Sequence, residues 1–243
     1  MTEHAARAFV LDRRPHREQD LRVTLLTEHG ARVDALALNA QRSTRRFMGA
    51  LTPLALYRVR YTTTTKGTRL DEAQVDQVWP ALSRGLRSQT AALAATGIVR
   101  AVAEPTPHDG ALFLLLGELY TAAAASDAHD ALAARLVRFT FEVLDHTGHA
   151  IALDRCVRCD TPAPDAARVT IDPSAGGIVC RGCGGGPYAI SSADRADLRA
   201  VRAGDYDRGR AEMLRWTARI IEGVSMDSAG SIAGVVDHFD PRR

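Results

Sequence analysis

The residues best suited to chemistry in this chain are its four cysteines. They fall as two Cys-x-x-Cys pairs, Cys156-Val157-Arg158-Cys159 and Cys180-Arg181-Gly182-Cys183, with twenty residues between the pairs. Each pair can bend into a knuckle carrying two thiolates, and two knuckles complete a tetrahedron around one Zn²⁺ ion. Gly176, Gly177, Gly182, Gly184, Gly185 and Gly186 crowd the second pair and permit turns that bring backbone amides toward sulfur. The rival readings are a redox dithiol and an iron–sulfur cluster. A thioredoxin-like pair follows a strand and opens a helix, and neither pair is predicted to do so. A four-sulfur site leaves no open position for water, so such an ion would be structural.

A second group of residues is basic. Between Ala35 and Leu70 stand Arg42, Arg45, Arg46, Arg58, Arg60, Lys66 and Arg69, with no Asp or Glu among them; Asp34 and Asp71 lie just outside. The net charge of +2 conceals this local surplus. Seven cations with no carboxylate between them need anionic partners from outside, and nucleic acid is a natural one. Guanidinium suits phosphate because its fork of donors matches two oxygens, and its plane stacks on bases. If about five of the seven engage a single strand, log affinity should fall against log salt with a slope near −3.5.

These side chains need elements to hold them. Residues 54–62 alternate apolar and polar as a half-buried strand does. Tyr57, Val59 and Tyr61 share one face; the two tyrosines could stack bases, but sharing a face with Val59 they are read as core. Arg58 and Arg60 share the other face with Leu56. Arg7–Leu11, Leu21–Thr27, Arg32–Leu38 and Thr68–Ala73 are further short β-like runs, with turn signals at His29-Gly30 and Lys66-Gly67. Five such strands predict a small closed β-barrel of the OB type, with a sandwich left open by pattern alone.

Helices follow. One is predicted over Gln74–Thr96, capped by Asp71 and stopped at Gly97; others cover Ala111–Ala125 and Asp127–Asp145, the latter with a core stripe at Leu132, Leu136, Phe139 and Val143. After the loop-rich cysteine segment, Ser191 with Asp194 starts a helical return reaching toward Phe239, including an amphipathic stretch over Ala211–Val224. The fold class is therefore α+β and multidomain. It comprises an OB-fold barrel over 1–80, a helical domain over 81–152 continued over 188–243, and a four-cysteine zinc lobe over 153–187 inserted in the helical part.

Several function classes lack their motifs. There is no Gly-x-x-x-x-Gly-Lys-[Ser/Thr], so no nucleotide cofactor is expected, and no Gly-x-Ser-x-Gly or His-Glu-x-x-His. No His-x-Glu precedes the cysteines, as a zinc deaminase requires. His146 and His149 would be surplus to a filled tetrahedron, and Asp130, Asp145 and Asp154 read as caps or ion pairs. No signal peptide or apolar span is visible, so a cytoplasmic protein with no membrane partner is expected. The chain reads as a binding protein and not an enzyme. The alternatives are an RNA-binding OB-fold protein and a zinc-containing protein–protein scaffold.

Five stretches resemble one bacterial family, RecO, the recombination mediator of the RecF pathway. They are Phe9-Val10-Leu11; Glu18-Gln19-Asp20 with Leu25 to Gly30; Asn39 to Phe47 followed by Leu51-Thr52-Pro53-Leu54; Gly148 to Cys159; and Asp172 to Cys183. The basic loop departs from the family in having less lysine and glycine. The resemblance implies an N-terminal OB-fold, a helical domain and a zinc lobe that some members lack. It implies binding of single- and double-stranded DNA in repair and homologous recombination, and annealing of complementary strands. It implies partnership with RecR and with the acidic C-terminal tail of single-stranded DNA-binding protein, so that RecA can load. A DNA-bound protein of this kind would be nucleoid-associated.

Overall fold

Alternating apolar and polar residues build the first half of the chain into strands. The structure, a computed structural model, describes residues 1–224 apart from 44, 48–50, 107–108, 206–207 and 209–212. Five strands, β1 (Thr2–His16), β2 (Asp20–Thr27), β3 (Arg32–Ala37), β4 (Ala55–Thr64) and β5 (Gly67–Val78), pair in the order β1-β2-β3-β5-β4. β4 pairs back to β1, completing a ring of pairings. All pairs are antiparallel except β3 with β5, a short seam that sets Ala35–Ala37 beside Thr68–Leu70. This is a five-stranded barrel of the OB type. Long β1 serves two neighbours: Thr2–Phe9 pair with β4 and Ala8–His16 with β2, with a bulge between Val10 and Asp12. Ala8, Val10, Val23, Leu25, Tyr57, Val59 and Leu70 fill the interior.

β5 corrects the expectation of a helix from Gln74. The strand continues because β4 offers a partner along its length, with Val59 opposite Ala73, Arg58 opposite Gln74 and Leu56 opposite Gln77. Asp71 caps no helix; its carboxylate accepts hydrogen bonds from Thr62 Oγ1 and Arg69 Nε, both at 2.6 Å. The first α-helix, α1 (Leu86–Val102), starts only after a single 3₁₀ turn at Pro80–Ser83, and it runs through Gly97. A mid-helix glycine costs about 1 kcal/mol. Burial of the neighbouring Ala94, Ala95, Ile98 and Val99 offsets it.

α2 (Ala111–Ala125) matches its predicted bounds. An aromatic cluster joins the helices to the barrel. Phe9, on the outward side of β1, lies 4.9 Å from Phe113, 5.3 Å from Tyr120 and 6.1 Å from Trp79, ring centre to ring centre. The Trp79 indole donates to Thr121 Oγ1 at 3.1 Å, and the Tyr120 hydroxyl sits 2.6 Å from Thr96 Oγ1. Barrel, α1 and α2 form one compact unit, Met1–Ala125.

A second unit starts at Ser126. Its first helix, α3 (His129–His146), buries the predicted stripe of Leu132, Leu136, Phe139 and Val143. Four short strands follow, β6 (Ala152–Cys156), β7 (Val169–Asp172), β8 (Gly177–Ile178) and β9 (Tyr188–Ile190), in the order β6-β8-β7-β9. A loop-rich segment was expected here; strands of two to five residues are too short to show period-two alternation. α4 (Ser192–Arg202) starts where expected, the Ser191 hydroxyl accepting from the Asp194 amide at 3.0 Å. α5 (Leu214–Val224) buries Leu214, Trp216, Ile220 and Ile221. Residues 206–207, 209–212 and 225–239 of the predicted helical return lie outside the described residues.

α3 packs against α4 and α5, so the cysteine lobe is an insertion between helices that meet one another. Arg202 of α4 donates to the Ile151 carbonyl at 2.9 Å and pairs with Asp145 at 2.7 Å. Arg199 pairs with Asp154 and Asp165 at 2.8 and 2.9 Å. Arg195, almost wholly buried, donates to the Pro164 carbonyl. No described helix is long and apolar enough to cross a membrane.

The Phe9 ring lies against three other rings, so Phe9→Ala should remove about 3–5 kcal/mol of stability. Chemical denaturation monitored at the tryptophans tests this; a change below about 1 kcal/mol would mean the cluster does not hold helices to barrel.

Candidate metal centre and basic face

The cysteine lobe gathers its sulfurs by backbone design. β6 ends at Cys156, and the first knuckle folds back on it: Asp160 N–H donates to the Cys156 carbonyl and Cys156 N–H to the Thr161 carbonyl, each at 2.9 Å. Asp160 sits in the left-handed region at φ 60° to make this turn. The second knuckle leaves β8, turns through Arg181–Cys183 and ends at Gly184, whose φ of 100° suits glycine. The strands lie so close that a Cβ on Gly177 would collide with the Ala152 backbone. The knuckles are stitched together by Val157 N–H to the Ile178 carbonyl at 2.8 Å and Arg158 Nη1 to the Cys183 carbonyl at 2.8 Å.

The four sulfurs all lie within 4.8 Å of one another. A tetrahedral metal with bonds of about 2.3 Å separates its sulfurs by about 3.8 Å. Cys159 Sγ and Cys180 Sγ are 3.7 Å apart. The Cys180 amide points at Cys156 Sγ at 3.3 Å and draws the thiol pKa down to about 6. The neighbouring Cys159 and Cys180 thiols push Cys183 up to about 12. The cluster can carry part of the charge of four thiolates by itself, and the remainder requires a cation among them. Donor type, number and spacing all suit a tetrahedral metal ion.

On the barrel, the face assignment of β4 holds for its centre. Tyr57 and Val59 are buried; Arg58 and Arg60 point outward and are 75% and 69% exposed. The Tyr57 hydroxyl reaches the 51–54 loop, accepting from Thr52 N–H at 3.0 Å and donating to the Thr52 carbonyl at 3.1 Å. Tyr61 corrects the core reading. It is only partly buried and packs on the end of the barrel interior, while its ring stacks on His4 of β1 at 4.8 Å and 16°.

The notion that all seven cations lack carboxylates also needs correction. β5 supplies three. Asp76 receives Arg58 at 2.6 Å and Arg7 at 2.9 Å, Glu72 receives Arg60 at 2.8 Å, and Asp71 receives Arg69 at 2.6 Å. All three lie beyond the basic stretch in sequence; Asp76 and Glu72 meet it across strands, while Asp71 reaches Arg69 two residues away on the same strand. Burial pulls the Asp71 carboxyl up, but the hydrogen bonds from Thr62 and Arg69 prevail and hold it below its usual range. Over this wall runs an open groove of about 530 Å³, floored by Ala5 and edged by Arg7, Arg58, Arg60 and Glu72.

The remaining cations stand differently. Arg42 and Arg45 are exposed, and Lys66 sits on the exposed β4–β5 turn. Arg46 donates to the Leu38 carbonyl at 2.9 Å and lies over the Phe47 ring. Its own carbonyl accepts from Ala73 N–H at 2.9 Å, so the basic loop runs beside β5 on the edge opposite β4. At its other end the loop joins the β1–β2 turn, through Gln41 N–H to the Gln19 carbonyl at 3.1 Å and Asn39 N–H to Asp20 Oδ1 at 2.8 Å. That turn carries exposed Arg13, Arg14, Arg17 and Arg22, which sequence reading passed over. Asp12, Glu18 and Asp20 interleave them, so they form no charge run; only the hairpin register puts them beside the loop.

Comparison with known proteins agrees across the chain. Residues 1–78 match the family described as Recombination protein O N terminal, and residues 84–225 match Recombination protein O C terminal. A DNA repair protein RecO of Myxococcus xanthus is 33% identical over 204 residues, 81% of this chain and 80% of its own length. One of an Anaeromyxobacter species is 31% identical over 232 residues, 93% of this chain and 87% of its own. One of Syntrophus aciditrophicus is 28% identical over 184 residues, 74% and 69% of the two chains. Matched over both halves and nearly end to end, the chain belongs to the RecO family.

Proposed function

We propose that the chain is a DNA repair and recombination mediator that binds single- and double-stranded DNA through its barrel and has no chemistry of its own. The observation that carries this is the outward guanidinium wall of β4, joined across β5 to an exposed basic loop. Two single strands repel through their phosphates, and a basic surface holding both lowers that repulsion and lets base pairing proceed without ATP. Arg42, Arg45, Arg46, Arg58, Arg60, Lys66 and Arg69 are the proposed phosphate contacts. In the cell the protein would act at the nucleoid with RecR and with the acidic tail of single-stranded DNA-binding protein, helping RecA to load. The functional modules are the barrel over 1–80, the helices over 81–152 and 188–243, and the lobe over 153–187. The lobe holds one structural Zn²⁺ on Cys156, Cys159, Cys180 and Cys183. The internal pairing of three cations favours one rival, a scaffold whose barrel binds nucleic acid only weakly.

Three measurements test this. Affinity for a single-stranded oligonucleotide should fall with salt at a log–log slope near −3.5, and Arg42→Ala/Arg45→Ala/Arg46→Ala should flatten it by about 2. A slope near zero in wild type contradicts DNA binding and favours the scaffold. Neutralising the competing carboxylates with Glu72→Gln/Asp76→Asn should tighten binding roughly 2- to 30-fold, since two such pairs at about 0.2–1 kcal/mol each come to about 0.4–2 kcal/mol. Unchanged or weaker binding would remove Arg58 and Arg60 from the contact set. Metal analysis should find one zinc per chain. Cys180→Ser should lower Tm by roughly 6–12 °C for a loss of about 3 kcal/mol, with DNA affinity changed less than stability. Four freely titrating thiols in metal-free protein would overturn the zinc assignment.

A further inference from the structure

The His4–Tyr61 stack has no evident need to exist. A partly exposed tyrosine at the end of a barrel can be covered by any aliphatic neighbour, yet here the cross-strand partner is an exposed imidazole laid nearly flat on the ring, 4.8 Å away and inclined by 16°. Tyr61 packs on the edge of the barrel core. His4 is its cross-strand partner on β1, so the imidazole lies beside the phenol at the end of the barrel, on the side away from the core. Tyr61 is anchored by packing while His4 is exposed, so the pair amounts to a fixed aromatic platform with an open outer ring.

Cations stand near this end of the barrel, one of them on the β4–β5 turn. Thr62, next in sequence to Tyr61, pairs with Arg69; Thr64 pairs with Gly67, beside the exposed Lys66 at the turn. Arg60, the residue before Tyr61, points to the outer wall. Neighbouring strands are about 4.8 Å apart. Arg60 and Arg69 alternate to the outer face, so the cation at the same end of the barrel as the platform is Lys66, on the turn five residues beyond Tyr61. Phosphate sites beside an aromatic face are the two components of a sequence-tolerant single-strand site, because every base has a π-face and only an unpaired base can offer it.

We propose that His4, supported by Tyr61, is a base-stacking position that lets this barrel prefer single-stranded over double-stranded DNA. The proposal deepens the nucleic-acid reading above and rests on it. In a duplex the bases are stacked on one another, so the platform contributes nothing and only phosphate contacts remain. In a single strand one base lies on the imidazole, and affinity gains the stacking increment. Tyr61 acts as a positioning residue for His4.

The test measures binding of wild type, His4→Phe and His4→Ser/Tyr61→Leu to three probes at one salt concentration: a short oligothymidylate, an abasic oligomer of equal charge, and a duplex. Tyr61→Leu keeps an apolar side chain against the core. Wild type and His4→Phe should both favour the oligothymidylate over the abasic oligomer, by about 5- to 100-fold for one stacked base. His4→Ser/Tyr61→Leu should lose that preference and bind the abasic oligomer and the duplex as wild type does. Wild type that binds oligothymidylate and abasic oligomer equally overturns the proposal, however the variants fold. So does a double variant that keeps the preference, or one that weakens all three probes together while His4→Phe does the same. If wild type binds none of the probes, the nucleic-acid reading fails first and the platform falls with it.

Discussion

β4 is hydrogen-bonded on both edges, to β1 along one side and to β5 along the other. A strand with two neighbours cannot rotate, so its period-two alternation is imposed on everything around it. Tyr57 and Val59 must enter the barrel, and Arg58 and Arg60 must leave it. A slip of one residue would bury two guanidinium groups, at a cost of several kcal/mol each. The register that forms the core is therefore the register that forms the basic wall. Core packing and candidate binding surface are one structural fact seen from two sides.

The same register brings acid to the wall. Asp76 bridges Arg7 and Arg58, and Glu72 meets Arg60, because β5 lies beside β4 and carries its carboxylates at the matching positions. Exposed pairs of this kind add little stability. Their effect is to lower the free charge of the surface and to hold the guanidinium groups in place. A phosphodiester offers each guanidinium a bidentate partner of the same single charge, but it stands in an array whose condensed counterions are released on binding, so a polyanion can compete for groups that a single chloride ion would leave paired. The cations of the 42–46 loop and the β4–β5 turn, which meet no carboxylate among the described residues, would meet DNA first, and the latched ones would follow.

How much was legible in the sequence depended on the range of the signal. The alternation at the centre of β4, the spacing of the four cysteines, the bounds of α2 and the Ser191 cap are local, and each appears in the structure as read; Tyr61, at the end of the barrel, does not. Asp71 shows where local reading fails: it has the chemistry of an N-cap, but β4 extends far enough to claim Gln74 and Gln77 as strand partners, and tertiary pairing overrides helix propensity. The carboxylates that meet Arg58 and Arg60 are twelve to eighteen residues away and become neighbours only through register. The basic β1–β2 turn was masked by interleaved acids. His4 and Tyr61 are separated by most of the barrel sequence, and nothing in either local context announces that their rings meet. In the cysteine lobe the ligand set was plain while the sheet that presents it was not, since strands this short carry no period.

If the basic barrel surface neutralises two DNA strands at once, the protein should anneal complementary oligonucleotides without ATP. The decisive comparison is annealing by wild type and by Arg42→Ala/Arg45→Ala/Arg46→Ala across a salt series. Wild type should anneal the strands, less well as salt rises, and the variant should largely fail to. Annealing that is equal in both proteins and insensitive to salt would rule out neutralisation by this surface.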